Sequence, residues 1–169
     1  GPAFGWGLPY LVDGFLPYLM ASPREQQSIA FVAPPNIRDP ALTVDLGVSQ
    51  PLSRIHLYAV DQSDTAPQAW AGDFGIPKLL RVEGANKPDF SDATTLIELH
   101  HEVIYDVGPI MMWSFPETNC RFVRLKTVDA GPAPPYGPTR CALGLAEIEL
   151  FSGDQNVALH KNVTANFEY

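Results

Sequence analysis

Most of the chain alternates between apolar and polar residues over short runs, the pattern of half-buried β-strands. In the run 53–60, for example, Ile55, Leu57 and Ala59 share one face. The runs that predict strands are 41–47, 53–60, 78–84, 95–99, 110–115, 121–128 and 146–151. Helical periodicity never lasts beyond two turns, and only 22–27 is predicted as a short helix. We therefore expect an all-β fold of about eight antiparallel strands, arranged as a jelly-roll β-sandwich.

The composition fits this pattern. The chain has 169 residues, enough for one domain with a full core. Its 17 prolines and 13 glycines favour many short segments joined by fixed turns. Two connections, 61–77 and 129–140, are long and rich in these residues. Long connections of this kind commonly carry function.

The charge excludes two classes of partner. The formal net charge is −8, from 19 acidic and 11 basic residues. Nucleic acids and anionic membrane surfaces are bound by clustered Lys and Arg, so neither is expected as a partner. The sequence also contains no run of 18 apolar residues, and no membrane insertion is predicted. The acidity either keeps the domain soluble or contributes to cation binding, and the first interpretation is favoured.

Three stretches in order resemble the discoidin, or coagulation factor type C, domain. They are Val-Asp-Gly at 12–14, Leu-Thr-Val-Asp-Leu-Gly at 42–47 with Ile-His-Leu-Tyr at 55–58, and Arg-Phe-Val-Arg-Leu at 121–125 with Leu-Ala-Glu-Ile-Glu-Leu-Phe at 145–151. Each stretch alone is weak evidence for the family, but together they span residues 12–151 in the order in which the family has them. The resemblance implies a galactose-binding-like jelly roll over residues 1–155.

The C-terminal segment 156–169 is a separate feature. Its Asn-Val-Ala-Leu-His-Lys-Asn-Val-Thr-Ala at 156–165 is similar to the segment that normally opens a discoidin domain. Two arrangements are open. The segment either supplies an edge strand to this sandwich or begins a tandem copy, and we favour the edge strand.

The same resemblance implies a structural Ca²⁺ site. Asp13 and Glu147 would supply carboxylate oxygens, and Ala146 with a residue near Leu11 would supply carbonyl oxygens, all hard ligands that Ca²⁺ prefers. The sequence departs from the family where Phe15 stands in place of a second Asp. In the alternative interpretation, Asp13 caps a turn and Glu147 is a solvated strand residue.

Ligand-binding candidates come mainly from the long connections, because sugars stack on aromatic rings and hydrogen-bond to planar polar groups. The candidates are Trp70, Asp73, Phe74, Tyr136, Arg140, Arg38 and His101. Tyr136, flanked by proline and glycine, is the main candidate for an exposed platform. The alternative for each aromatic is packing beneath its loop, and this is favoured for Phe74.

No catalytic motif supports an enzyme: the sequence lacks a nucleophile elbow, a phosphate loop and a zinc-protease motif. The resemblance instead implies a non-catalytic carbohydrate-binding module, covalently linked to neighbouring domains of a larger protein. Its ligand would be an oligo- or polysaccharide, and its location extracellular, on the cell surface or periplasmic. The alternative is a protein-interaction or spacer domain without a small ligand.

Overall fold

The computed structural model describes residues 7–16, 31–34, 36–59, 77–100, 110–130 and 142–167. These ranges contain a 3₁₀ helix, Leu8–Val12, and nine strands. The strands are β1 (Phe31–Val32), β2 (Ala41–Tyr58), β3 (Leu79–Ala85), β4 (Thr94–His100), β5 (Ile110–Asp129), β6 (Gly144–Leu145), β7 (Glu147–Ser152), β8 (Gln155–Asn156) and β9 (Asn162–Ala165). The described part of the chain holds no helix of the length and apolarity needed to cross a membrane. The predicted all-β fold is confirmed.

The strands form where the side chains alternate. In the first half of β2, Leu42, Val44 and Leu46 are buried, while Thr43 and Asp45 between them are half-exposed. Successive side chains of a strand point to opposite faces, so this run places one face on the core and the other towards solvent. The period-2 pattern of the sequence thus corresponds to the buried and the solvent-facing sides of the strand.

All strand pairings in the described ranges are antiparallel. The main sheet has the order β4-β3-β5-β2-β7-β8, and β9 also pairs with β2. The small sheet consists of β1 and β6. On the side of β2 away from β5, β9 covers its first half and β7 its second half. The two halves of β2 therefore belong to different layers.

A corner separates these halves. Between Asp45 and Gln50, β2 advances five residues (50 − 45), while the facing part of β5, Phe122 to Cys120, advances two (122 − 120). Gly47 has a φ of +84°, which a side chain would strain, and its N–H donates to Asp45 Oδ1 at 2.8 Å. A bulge of this kind bends a strand strongly. Two expected pairs of separate strands, 41–47 with 53–60 and 110–115 with 121–128, are consequently two long strands that turn this corner.

The C-terminal end of β2 lies beside the small sheet. Ala146 donates its backbone N–H to Tyr58 O at 2.8 Å. The residue before it, Leu145, is paired with Phe31. Phe31 is therefore close to the C-terminal end of β2.

The N-terminal end of β2 also lies close to Phe31. Asn166 donates its backbone N–H to Ala41 O at 3.1 Å, and the next residue, Phe167, has its ring centroid 6.0 Å from that of Phe31. Both ends of β2 thus meet at one end of the molecule, here called the loop end. The opposite end, with the bends of β2 and β5 and the turns 86–93 and 153–154, is called the corner end.

One hydrophobic cluster fills the space between the layers. It includes Leu80 and Val82 of β3 on one side and Ile148 and Leu150 of β7 on the other. Burial of these aliphatic side chains, each contributing about 1.5–3 kcal/mol, holds the two layers face to face. The molecule is a two-layer β-sandwich whose layers share the continuous strands β2 and β5.

The C-terminal segment lies in this sheet. Strand β9 pairs antiparallel with the first half of β2, from Leu42 opposite Ala165 to Asp45 opposite Asn162. Ala158 and Val163 of the same segment belong to the core cluster. The division of the chain at residue 155 stays a prediction.

Candidate functional site

The ends of several strands converge at the loop end. Leu79, which starts β3, is paired with His100 at the end of β4 and with Asp129 at the end of β5. At the start of β5, Ile110 is opposite Tyr58. The strand register therefore brings together the attachment points of the long connections.

Each long connection joins two points at this same end. The segments 60–76, 101–109 and 131–141 lie outside the described residues, but the strands that flank them end here. Six predicted ligand-binding residues fall in these segments, namely Trp70, Asp73, Phe74, His101, Tyr136 and Arg140. Of the predicted ligand residues, the structure describes Arg38, which is half-buried and precedes β2 at the loop end.

A groove of about 250 Å³ opens on the outer face of the layer formed by β9, β2 and β5, next to the loop end. Its polar lining is contributed by Asp39, Thr43, Arg124, Lys126, Thr164 and Asn166. Ala41, Thr127 and Ala165 also contribute to its walls. We refer to it as the outer groove.

The strand register explains why these side chains share one face. Thr43 is directly opposite both Arg124 and Thr164, and Ala41 is directly opposite Lys126. Directly opposed residues of neighbouring strands project from the same face of the sheet. The hydroxyl groups and the cations therefore line one surface, and the small side chain of Ala41 leaves room between them.

Arg124 is held in place by two contacts. Its Nη2 is 3.0 Å from Glu83 Oε1, and its Cζ lies 4.1 Å from the centre of the Phe90 ring. Phe90 has a φ of +58°, an unusual backbone conformation for a residue with a side chain. The ion pair and the cation–π contact make Arg124 a rigid wall of the groove.

The other wall is also fixed. The Asn166 side chain accepts a hydrogen bond from Ala41 N at 2.8 Å and donates one to Asp39 O at 3.1 Å. Next to it, the Thr127 hydroxyl oxygen is buried and has no hydrogen-bond partner in the described part of the chain. The polar groups of this wall are thus preset, whereas the Thr127 hydroxyl is on the core side of the sheet, since Thr127 is directly opposite the buried Leu80.

The second candidate site joins two distant parts of the sequence. Glu147 is fully buried, and its Oε2 accepts a hydrogen bond from Gly14 N at 2.8 Å. Asp13 accepts a hydrogen bond from Phe15 N at 3.0 Å, and its carboxyl is within hydrogen-bonding reach of Glu147. Gly14 has a φ of +85°, which shapes this turn. The structure therefore brings together the two predicted carboxylate ligands.

Ionising both carboxyl groups of this pair is unfavourable unless a positive charge lies beside them. The pKa of Glu147 is raised to about 10, mainly by burial; the Gly14 N–H opposes this shift, and the neighbouring Asp13 carboxyl contributes to it. Glu147 Oε1 is buried with no hydrogen-bond partner among the described residues. An orphaned carboxylate oxygen beside a second carboxyl matches the donor chemistry of a hard cation.

The protein side-chain ligands at this place are few. Across the described residues, no group of three or more His, Cys, Asp or Glu side chains is arranged to hold a metal. An ion between Asp13 and Glu147 would require backbone carbonyls, for which Ala146 and a residue near Leu11 were predicted. Ala146 is buried and adjacent to Glu147.

The sequence prediction missed the outer groove. Arg124 and Lys126 fall in the run 121–128, which was predicted only as a strand, and Thr43 and Thr164 carried no signal of their own. A period-2 pattern shows that two residues share a face, but it does not show which strands lie beside each other. The pairing of β2 with both β5 and β9 is what creates the site.

No family model and no curated protein matches the chain. Among solved structures, it is similar to the 298–461 fragment of a Bacteroides thetaiotaomicron protein named as a candidate chitobiase. The TM-score is 0.55 at 18% identity, and the match covers 89% of this chain and 78% of that chain.

Two further structures match less closely. Chitosan-binding module 1 from the chitosanase/glucanase of Paenibacillus sp. IK-5 has a TM-score of 0.49 at 18% identity, covering 72% of this chain and 74% of that chain. CpGH89CBM32-5 from Clostridium perfringens, solved with GalNAc-β-1,3-galactose, has a TM-score of 0.45 at 16% identity, covering 68% of each chain. At such identities the likeness concerns the fold alone, and the fold that this chain shares with the first of these structures is the β-sandwich.

Proposed function

We propose that this chain is a non-catalytic carbohydrate-binding module that targets a larger secreted or surface protein to a glycan. The observation that carries the proposal is the outer groove at the loop end, where hydroxyl, amide and cationic side chains line about 250 Å³. Sugar hydroxyls are bound by such groups when these are fixed before the ligand arrives. Asn166 and Arg124 are fixed in this way.

The open shape of the site suggests how it works. An open groove on a sheet face takes a segment of a polymer and buries little of it, so each contact is weak. Weak modules act by raising the local concentration of a linked partner at the polymer surface. The proposal therefore includes covalently linked neighbouring domains and an extracellular, cell-surface or periplasmic location, where the protein would encounter polysaccharides.

The position of the carboxyl pair supports binding without catalysis. Glycoside hydrolysis requires two carboxyl groups that flank the scissile bond of a bound sugar. Glu147 is fully buried on β7, and neither it nor Asp13 is among the residues that line the groove. The Asp13–Glu147 pair is thus placed for a structural role.

The proposed function is tested by affinity electrophoresis and calorimetry against a panel of neutral and acidic polysaccharides. Wild-type protein is expected to bind at least one of them. Trp70→Ala and Tyr136→Ala are expected to weaken that binding, because each removes a predicted stacking platform, whereas Lys87→Ala at the corner end should not. Failure to bind any polymer would overturn the proposal in favour of an interaction or spacer domain. Release of sugars from a bound polymer would overturn its non-catalytic part.

We also propose that Asp13 and Glu147, with backbone carbonyls that include Ala146, hold a structural Ca²⁺. The support is the orphaned Oε1 of the fully buried Glu147. A bound cation would satisfy this oxygen and attach the 12–15 turn to the start of β7.

Thermal unfolding in CaCl₂ and in EGTA tests the calcium proposal. Calcium at 100 times its Kd should stabilise the fold by about 2.7 kcal/mol. Glu147→Gln should abolish this difference, and Glu98→Gln on the exposed edge strand should retain it. Equal melting temperatures of the wild type in both buffers would sink the calcium site while leaving the sugar-binding proposal intact.

A further inference from the structure

Three of the basic side chains lie side by side on the outer face of the layer that carries the groove. Arg81 on β3 is directly opposite Lys126 on β5, and Arg124 lies two residues before Lys126 on the same face. The chain as a whole carries a net charge of −8. This patch is therefore a local exception to an acidic protein.

Two of these cations are already compensated. Arg81 Nε lies 2.8 Å from Glu98 Oε1, and Arg124 Nη2 lies 3.0 Å from Glu83 Oε1. Lys126 is exposed and forms no ion pair with any residue in the described ranges. It is the uncompensated cation of the groove.

The surroundings of Lys126 suit a charged sugar. The hydroxyls of Thr43 and Thr164 line the same groove, and Arg124 is held beside them by Glu83 and Phe90. Asp39 at the rim is the one carboxylate in the lining, and it opposes an incoming anion. Its negative charge favours a ligand whose anionic group is directed at Lys126 rather than spread along the groove.

We propose that the outer groove selects a glycan with an anionic sugar residue, a carboxylate or a sulfate ester, and that Lys126 is the residue that determines this selectivity. The inference rests on the proposed sugar-binding function and specifies its ligand class. A hydrogen bond to an ionised partner contributes about 1.5–3 kcal/mol, which corresponds to about tenfold or more in affinity. A neutral sugar offers Lys126 a hydroxyl acceptor but no opposite charge.

The decisive experiment compares polymers that differ only in charge. Calorimetry is carried out with polygalacturonate and its carboxyl-reduced form, and with dextran sulfate and dextran. We expect wild-type protein to bind one of the charged polymers at least tenfold more tightly than its neutral counterpart. Raised ionic strength should weaken that binding, because the contact is exposed to solvent. The arm that binds identifies the anion as a carboxylate or a sulfate.

Variants assign the effect to one residue. Lys126→Ala should reduce affinity for the charged polymer about tenfold and so remove most of its preference over the neutral counterpart. Lys87→Ala, an exposed lysine in the β3–β4 turn at the corner end, is the matched control and should change neither. Unchanged binding of the charged polymer by Lys126→Ala would overturn the inference.

The outcomes separate this inference from the function on which it rests. Binding of neutral glycans alone would overturn anion selectivity while supporting a carbohydrate-binding module. Binding of no glycan in the wider panel would overturn both. A circular-dichroism melt of each variant establishes that the fold is retained before affinities are compared.

Discussion

The corner end and the loop end are built from the same two long strands, yet they treat polar groups differently. At the corner end, Arg121 pairs with both carboxylate oxygens of Asp45, at 2.9 and 3.2 Å. In the nearby turn, Asp92 accepts backbone hydrogen bonds from Asn86 and Lys87. Polar groups at this end find partners within the molecule.

At the loop end several polar groups lack such partners within the described ranges. Lys126 has no ion pair there, and the buried Thr127 Oγ1 and Glu147 Oε1 have no hydrogen bond. Near the corner, Arg54 Nε is similarly unsatisfied, but the Arg54 guanidinium is stacked 4.2 Å above the Phe151 ring. Buried polar groups without partners cost stability, so they are tolerated where a ligand or ion completes them. The contrast is the one expected if, as proposed, the corner end stabilises the sandwich and a glycan and an ion bind at the loop end.

The largest expected effect on stability concerns the packing of Phe31 at the loop end. Phe31 is fully buried and contacts Phe167 where both ends of β2 meet. Phe31→Ala should destabilise the fold by about 3–5 kcal/mol, measured by urea unfolding, because it leaves a cavity between the layers. Phe167→Ala, at a half-buried position, should cost clearly less. Equal losses for the two variants would show that Phe31 does not close this end.

The next largest effect on stability is expected at Gly84, which is tightly packed at the corner end. A Cβ added at Gly84 would lie 2.9 Å from Cys120 Sγ and 3.3 Å from Leu96 Cδ1. Gly84→Ala should therefore destabilise the protein by about 1–3 kcal/mol without changing sugar binding. Adding Cys120→Ala should recover part of the loss, since it removes the closest atom. Simple additivity of the two changes would contradict this packing argument.

A smaller, pH-dependent effect is expected at Asp45. The hydrogen bond from Arg121 is the main cause that lowers the pKa of Asp45 below its usual 3.8, with a further contribution from the Gly47 N–H and opposition from burial. A lowered folded-state pKa adds stability above about pH 4 that is lost as pH falls through the folded value. Asp45→Asn should thus be less stable than wild type by up to about 1 kcal/mol at pH 7, both side chains being partly exposed. The gap should narrow at pH 2.5, and a constant gap in chemical unfolding at both pH values would refute the mechanism.

The smallest effect is expected for Lys126→Ala. Its side chain is exposed and makes no ion pair with a described residue, so unfolding free energy should change by less than about 0.5 kcal/mol. The same substitution is expected to alter ligand affinity. A small effect on stability together with a clear effect on affinity would distinguish Lys126 from the stabilising residues of the corner end. A loss above 1 kcal/mol in urea unfolding would place Lys126 among the stabilising residues instead.

Much of the architecture was predictable from local pattern. The alternation in 121–128 places Val123 and Leu125 on the core face, and both are fully buried. The resemblance to the discoidin domain, carried by the motifs at 12–14 and 145–151, implied that Asp13 and Glu147 would lie close together, and they do. The alternative of Glu147 as a solvated strand residue is wrong, because the residue is fully buried.

Other features were out of reach. The bends in β2 and β5 were interpreted as gaps between strands, because Gly47 and Pro51 are ordinary turn residues and the pattern does not reveal continued pairing across them. The outer groove was missed for a related reason. Its residues, Thr43, Lys126 and Thr164, come from three strands far apart in the sequence.

The amino-acid sequence by itself determined which segments are strands and which face of each is buried, since alternation depends only on successive residues and their hydrophobicity. The carboxyl pair was indicated by the resemblance to the discoidin domain that its motifs carry. Only the tertiary structure decided that two strands turn a corner, that both of their ends meet, and that three polar strand faces form one groove. These facts depend on pairing between distant segments, where the free energy is set by the packing of the whole core rather than by any single run of residues.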